Sequence, residues 1–246
     1  MDKVYQKIDE AIADVNDGAM IAIAGFFACG VPRILLQALI NKKVKNLTLT
    51  CGCGPMVGAT DELRALVKNG QIKKLIDSYG LSRSASKGRH DPFEQAVRAG
   101  EIELEVVPMG TLAERYRAAA AGVAAVYLPT GTGSIVEKSV VSSIVANRTP
   151  KETRVFNGRT YILEYALKPD FAFIHAHTTD TEGNCRYSKT ARNFNPVMAS
   201  AAKVTIVEAE NIVQPGDIDP DCIHTPGIYV KRVVQVPRIK IRVGID

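Results

Sequence analysis

The sequence predicts an α/β fold, a mostly parallel sheet whose strands are joined by helices, followed by a β-rich second half. Three observations point there. Helical and strand patterns alternate as far as Tyr127. The apolar run 20–24 passes through a glycine-bearing turn into an apolar stripe at helical spacing, ILLQAL, behind Pro32. After Tyr127 the pattern shifts to short strands, with Asn157-Gly158 between two apolar runs as a hairpin turn requires. With no repeat and no low-complexity linker, residues 1–246 read as one domain.

Taken in order, Val4, Ile8, Ile12 and Val15 share one helical face that closes at Asn16-Asp17-Gly18. Residues 20–24 read as a buried strand. Pro32 belongs to the first turn of the next helix, where a missing N–H leaves nothing unpaired. A strand is predicted at 47–50, a helix at 61–69 with Gly70 just past its end, and a strand at 74–79. Residues 92–99 form a helix closed by Gly100, and ELEVV (103–107) forms a strand. Thr111 to Glu114 has the form of a capping box, the hydroxyl meeting the N3 amide and the glutamate reaching back. Beyond a polar stretch (128–150), TRVFNGRTYILE (153–164) is a hairpin, and FAFIHAH (171–177) and KVTIVEA (203–209) are buried strands. Ligands of such a sheet are expected at the carboxyl ends of its strands.

Composition narrows the function classes. Hydrophobic residues make up 46% of the chain and charged residues 23%, ordinary values for a globular protein. No apolar run reaches the ~18 residues that span a bilayer, and MDKVYQKIDE is too polar for a signal peptide, so no membrane partner and a cytoplasmic or matrix-like location are expected. The 5 cysteines (Cys29, Cys51, Cys53, Cys185, Cys222) are odd in number without C-x-x-C spacing, which predicts free thiols and no metal. Net charge is a mild +5. Its two denser stretches, SRSASKGRH (82–90) and KRVVQVPRIKIRVGID (231–246), interleave no aromatics, and no nucleic-acid partner is expected.

The segment 24–30, AGFFACG, is the first candidate for chemistry. Glycines at such a turn let backbone amides approach a ligand, and the helix behind it adds about half a positive charge. That suits an anionic or carbonyl-bearing small molecule. A tight connection needing glycine only for its geometry is the alternative. The spacing G-x4-G lacks the lysine of a P-loop and is not G-x-G-x-x-G, so no nucleotide cradle is indicated. His175 and His177 alternate onto one strand face, but without a third ligand they read as structural or substrate-facing. No G-x-S-x-G occurs, and Glu182-Gly183-Asn184 reads as a turn. In TARNFNP (190–196), Asn195 is expected as a helix N-cap with Pro196 at N1. Lys189 and Arg192 beside it suit a carboxylate or an acidic partner surface.

Seven segments then combine into a family resemblance, in order along nearly the whole chain: DGAMIAIAGFFACGVP, QIKKLIDSY, GEIELEVVPMGTLAERYRAAAAGV, PTGTG, FNGRTYILEYAL, ARNFNPVMASAAKVTIVEAE and HTPGIYVKRVV. Together they resemble the A (alpha) subunit of family I CoA-transferases of the 3-oxoacid, acetoacetate and 3-oxoadipate type. The first resembles the signature D-G-x2-apolar-G-G-F-x3-G-x-P, with Ala24 at the first glycine.

The resemblance implies an open sheet, a B (beta) subunit in a hetero-oligomer, and acyl-CoA and carboxylic-acid substrates, with no cofactor beyond the CoA ester. It also implies a nucleophilic glutamate in an S-E-N-G motif on B. No S-E-N-G occurs here, so this chain is expected to supply no catalytic residue. It implies that the loop Ala24, Gly25, Phe26, Phe27, Ala28, Cys29 and Gly30 binds substrate, with Cys51, Gly52, Met109 and Gly110 as walls. Family members carry amide side chains where this chain has Cys51, Gly52 and Met109, and the loop before PFEQA differs as well. A bulkier or more apolar acyl group than acetoacetate is therefore expected. An acyl-CoA or C–C bond hydrolase on the same fold, and a non-catalytic CoA-ester sensor, are the alternatives.

Overall fold

The computed structural model describes residues 3–52, 61–78, 92–138 and 150–238. In chain order they form β1 (Val4–Tyr5), α1 (Ile8–Ala11), β2 (Met20–Ile23), α2 (Arg33–Lys42), β3 (Leu47–Cys51), α3 (Asp61–Lys68), β4 (Ile72–Asp77), α4 (Pro92–Arg98), β5 (Glu103–Val106) and α5 (Met109–Ala120). There follow β6 (Ala125–Leu128), β7 (Thr153–Phe156), β8 (Arg159–Tyr165), β9 (Phe171–Asp180), β10 (Cys185–Arg186), α6 (Asn195–Ala201), β11 (Val204–Val213) and β12 (Val230–Gln235). Cys53, Tyr79, the basic loop 82–90, residues 139–149 and the tail 239–246 lie outside the described residues. No helix among the described residues is long and apolar enough to cross a membrane.

The main sheet runs β1-β12-β11-β9-β2-β3-β4-β5. Every pair along it is parallel, and β10 adds antiparallel to β9. The chain winds outward from β2 through β5, then returns on the other side of β2 with β9, β11 and β12. The β2–β9 seam, Ile21 opposite Phe171 and Ile23 opposite Phe173, is therefore where strand order reverses. Such a reversal leaves a crevice outside the carboxyl ends of the strands.

Alternation along the strands fills two apolar layers. Ile21, Ile23, Phe171, Phe173 and Ile206 face Leu35, Leu36 and Leu39 of α2, Leu63 and Leu66 of α3, and Phe93 of α4. On the other face Ala22, Ala24, Ala172, Ala176 and Ala209 are small, and α5 and α6 bring Leu112, Tyr116, Met198 and Ala199 against them. A second sheet, β6-β8-β7, is antiparallel. Asn157 and Gly158, at φ 50° and 75°, make its hairpin turn as expected. Arg115 of α5 ties this sheet to the main one, donating to the Tyr165 carbonyl at 2.8 Å while its Nη1 meets Glu105 at 3.0 Å. Burial alone would raise the Glu105 carboxyl, but Arg115 and Lys74 together hold it at about 2.

Four local expectations need correction, one of which concerns Asn195 and is taken up with the site. Pro32 stands just before α2, at its N-cap, and Arg33 opens the first turn. Val4 is not helical, because Val4 and Tyr5 pair with Val233 and Val234 and complete the sheet edge; α1 spans only Ile8–Ala11. Ile12 and Val15 still enter the core. Nor is there a capping box at Thr111. Pro108 closes the link from β5, and its carbonyl already accepts from Leu112 N–H at 2.9 Å, so α5 starts at Met109. Thr111 lies inside the first turn, its hydroxyl buried and without a hydrogen-bond partner among the described residues. Glu114 pairs with Arg117 at 2.8 Å instead.

Gly52 follows β3 beneath the ring of Phe194, so close that a β-carbon there would overlap the ring. Gly52→Ala is expected to destabilise the fold by about 1–3 kcal/mol, the usual result of overfilling a packed site. Denaturant titration of the two proteins checks this; equal midpoints would mean that the Phe194 ring is free to swing away.

Candidate functional site

The segment after β2 turns sharply at the seam. Phe26 and Cys29 exchange both backbone hydrogen bonds at 3.0 Å, closing a two-residue turn with Phe27 and Ala28 at its tip. Phe27 stands at φ 50°, a left-handed conformation uncommon for a bulky side chain, and 43% of its surface is exposed. Its ring meets Phe26 edge-on at 5.1 Å. Gly25 and Gly30 also have positive φ, at 115° and 70°. A β-carbon on Gly25 would run into Val31, and one on Gly30 would lie 2.7 Å from the Ala191 carbonyl oxygen. Both glycines are required by close approach as well as by backbone conformation.

The head of α2 is already occupied. Glu208 of β11, 1% exposed, accepts from Ile34 N–H at 2.9 Å and Leu35 N–H at 2.8 Å through one oxygen. Its other oxygen lies 2.9 Å from His175 Nδ1. Two amides in the first turn of α2 are thus spent on the protein's own carboxylate, as the positive end of a helix favours. A charge inside an apolar strand, KVTIVEAE, was the sequence signal for this residue. Burial would lower His175, but its hydrogen bond and charge interaction with Glu208, followed by Glu210, outweigh that and raise it above its ordinary 6.5. His177 Nδ1 lies 2.8 Å from Glu210, which also approaches His175 Nε2 at 3.5 Å. The two histidines are therefore engaged by carboxylates. No group of three or more His, Cys, Asp or Glu among the described residues is arranged to hold a metal.

Asn195 does not cap its own helix. It is the first residue of α6, wholly buried, and the segment before it docks against the 24–30 loop, so its side chain turns away to join three chain segments. Oδ1 accepts from His175 N–H at 2.9 Å, while Nδ2 donates to the carbonyls of Gly30 at 3.1 Å and Ala191 at 2.8 Å. Asn193 donates to the Cys29 carbonyl at 3.1 Å, and Thr190 Oγ1 lies 3.4 Å from Cys29 Sγ. The two segments singled out in the sequence, 24–30 and 190–196, thus meet face to face. Lys189 and Arg192 are exposed beside them.

The remaining candidates separate. Cys51 is buried in the core and presents no surface. Gly52 lies under Phe194, its carbonyl accepting from the Ser78 hydroxyl. Met109 and Gly110 are exposed at the head of α5, at the same carboxyl edge of the sheet. Cys29, Cys51, Cys185 and Cys222 are free thiols. Residues 181–184 form the expected turn, with Asp180 accepting from the amides of Glu182 and Asn184 at 3.0 and 2.9 Å.

Comparison with known proteins adds to this geometry. The profile of the family described as Coenzyme A transferase matches residues 5–236. The A subunit of the succinyl-CoA:3-ketoacid coenzyme A transferase of Xanthomonas campestris pv. campestris is 44% identical over 233 residues, covering 94% of this chain and 88% of that protein. Its counterpart of the same name from Helicobacter pylori is 39% identical over 246 residues, covering 99% and 96%. Among solved structures, an acyl-CoA transferase apoenzyme from Escherichia coli has a similar backbone, with a TM-score of 0.85 at 21% identity. It matches 99% of this chain, which spans 48% of that longer one.

Replacing Asn195 by alanine would leave the His175 N–H and two carbonyls without their partner. A loss of about 2–4 kcal/mol is expected, since each abandoned buried group costs about 1–3 kcal/mol and part is recovered by relaxation. Chemical denaturation checks it, and Asn195→Asp, which keeps the acceptor for His175 N–H but sets a carboxylate oxygen against two carbonyl oxygens, should lose at least as much.

Proposed function

The chain belongs to the coenzyme A transferase family, and from that membership we propose that it is the A subunit of a heteromeric enzyme moving CoA between an acyl-CoA and a 3-oxo acid. A glutamate of the B partner attacks the thioester carbonyl. One glutamate oxygen leaves with the acyl group as a free carboxylate, and the CoA sulfur ends on the glutamyl carbonyl. The acceptor's carboxylate reverses the exchange, producing the new acyl-CoA and restoring the glutamate. Because the thioester is handed on rather than hydrolysed, this chemistry calls for no cofactor beyond the CoA ester.

The observation that carries this reading is the family match over residues 5–236, which includes the 24–30 loop at the strand-order reversal. The absence of S-E-N-G from the sequence leaves the nucleophile to the partner. With the α2 head closed by Glu208, the loop's part in substrate binding falls to its own backbone and to Phe27 at its tip. Of the three apolar replacements, Met109 alone is exposed, at 37%. The proposed preference for a more apolar acyl group accordingly rests on Met109.

Co-expression with a B subunit carrying S-E-N-G should yield a complex with acyl-CoA-dependent transfer, and the purified chain alone should be inactive. Transfer at full rate by the lone chain would overturn the assignment.

In a substrate panel run on that complex, apolar acyl groups should turn over faster than acetoacetate. Met109→Gln should shift the ratio toward acetoacetate by about tenfold, the value of one hydrogen bond in a transition state. An unchanged ratio would remove Met109 from the acyl pocket.

A further inference from the structure

We propose that Glu208 is a positioning residue for the acyl exchange: its carboxylate stands at the head of α2 where an external anion would bind and, gripped by His175, fixes the loop that meets the substrate. This rests on the transferase reading above and adds to it a residue that never touches substrate.

The geometry joins two clamps at one residue. The His175 ring holds Glu208, and Glu208 holds the first turn of α2 through the Ile34 and Leu35 amides. The backbone N–H of the same His175 holds Asn195, which grips the Gly30 carbonyl. The end of the loop and the helix that follows it are thereby referred to a single position on β9. Phe27, in its strained conformation at the exposed tip, is aimed by whatever fixes residue 30 and α2. Small displacements of groups that orient a reaction lower its rate steeply.

The charge on the clamp is set by its surroundings. From β11, Glu208 and Glu210 face His175; from β9, His177 reaches the same Glu210; and Arg238, after β12, approaches Glu210 at 3.9 Å. With three donors around it, Glu208 is a paired buried charge, the only kind that burial tolerates well. His175 is raised above its ordinary 6.5, so it is charged below its folded value and neutral above it. The histidine side of the pair therefore stays charged to higher pH than an ordinary imidazole would and is lost as pH rises through that raised value.

Glu208→Gln and Glu208→Ala, assembled with the B subunit, separate positioning from simple stability. Glutamine keeps an oxygen for the two amides but turns a donor toward His175, so the helix cap survives and the ion pair does not. In complexes carrying Glu208→Gln, kcat is expected to fall about tenfold, as when a charge-assisted bond becomes a neutral one. KM for acyl-CoA should change little, and the alkaline decline in kcat should move to lower pH. Glu208→Ala should cost about a hundredfold in kcat. Wild-type kcat per assembled complex in both variants would overturn the proposal, as would a loss explained wholly by failed assembly. Absence of CoA transfer by the wild-type complex would refute the transferase reading instead. Hydrogen exchange at the Ile34 and Leu35 amides then still decides the clamp, which falls if their protection is unchanged in Glu208→Ala.

Discussion

The parallel pairing of β2 with β9 is the constraint on which the rest of the molecule depends. Three register pairs, Ile21 with Phe171, Ala22 with Ala172 and Ile23 with Phe173, join two halves of the chain about 150 residues apart. Without that seam the outward-wound half, β2 to β5, and the returning half, β9 to β12, would each be a small sheet with an open apolar edge. With it, the loop after β2 lies against the chain that follows β9, and the crevice acquires walls from both halves.

The interactions around the seam follow a division of labour. Above and below the strands the contacts are apolar and alternate in size: alanines face α5 and α6, larger side chains face α2 and α3. At the carboxyl edge, where backbone groups leave the ladder, the contacts are polar and individually matched. Asn195 uses both ends of its amide and Glu208 uses both oxygens. Such groups are costly if misplaced, so they specify one arrangement of the edge where apolar contacts would tolerate several.

Much of the fold was legible in the sequence because its signals were local. An apolar run located β2 and an apolar stripe at helical spacing located α2, and Asn157-Gly158, Gly70 and Gly100 marked the turn and the helix ends where the backbone takes positive φ. Failures arose where a distant partner overruled a local preference. Val4 continued a helical face but completes an edge beside β12; Thr111 had the right spacing for a cap, but Pro108 started the helix first; Asn195 had the right neighbours for an N-cap, but three other segments claim its amide. The site was half legible. Glycine spacing and TARNFNP pointed to the two strips that meet, whereas Glu208 gave only one hint, a carboxylate in an apolar strand. No local rule says which helix a strand residue caps.

That long reach has a consequence for how the molecule comes to be made. Leu35 and Glu208 are 173 residues apart, and Ile34 and Glu208 are 174 apart. During synthesis, at about 5–20 residues per second, the first turn of α2 is made roughly 9–35 seconds before the carboxylate that caps it. The strands β2 to β5 can pair in that interval, but the first turn of α2 has only water for its amides. The anchor that Glu208 gives to the helix behind the loop is missing until β11 arrives. A nascent or truncated chain can close the local Phe26–Cys29 turn but lacks the carboxylate that fixes the helix behind it, so this edge of the sheet matures only after most of the chain has been made.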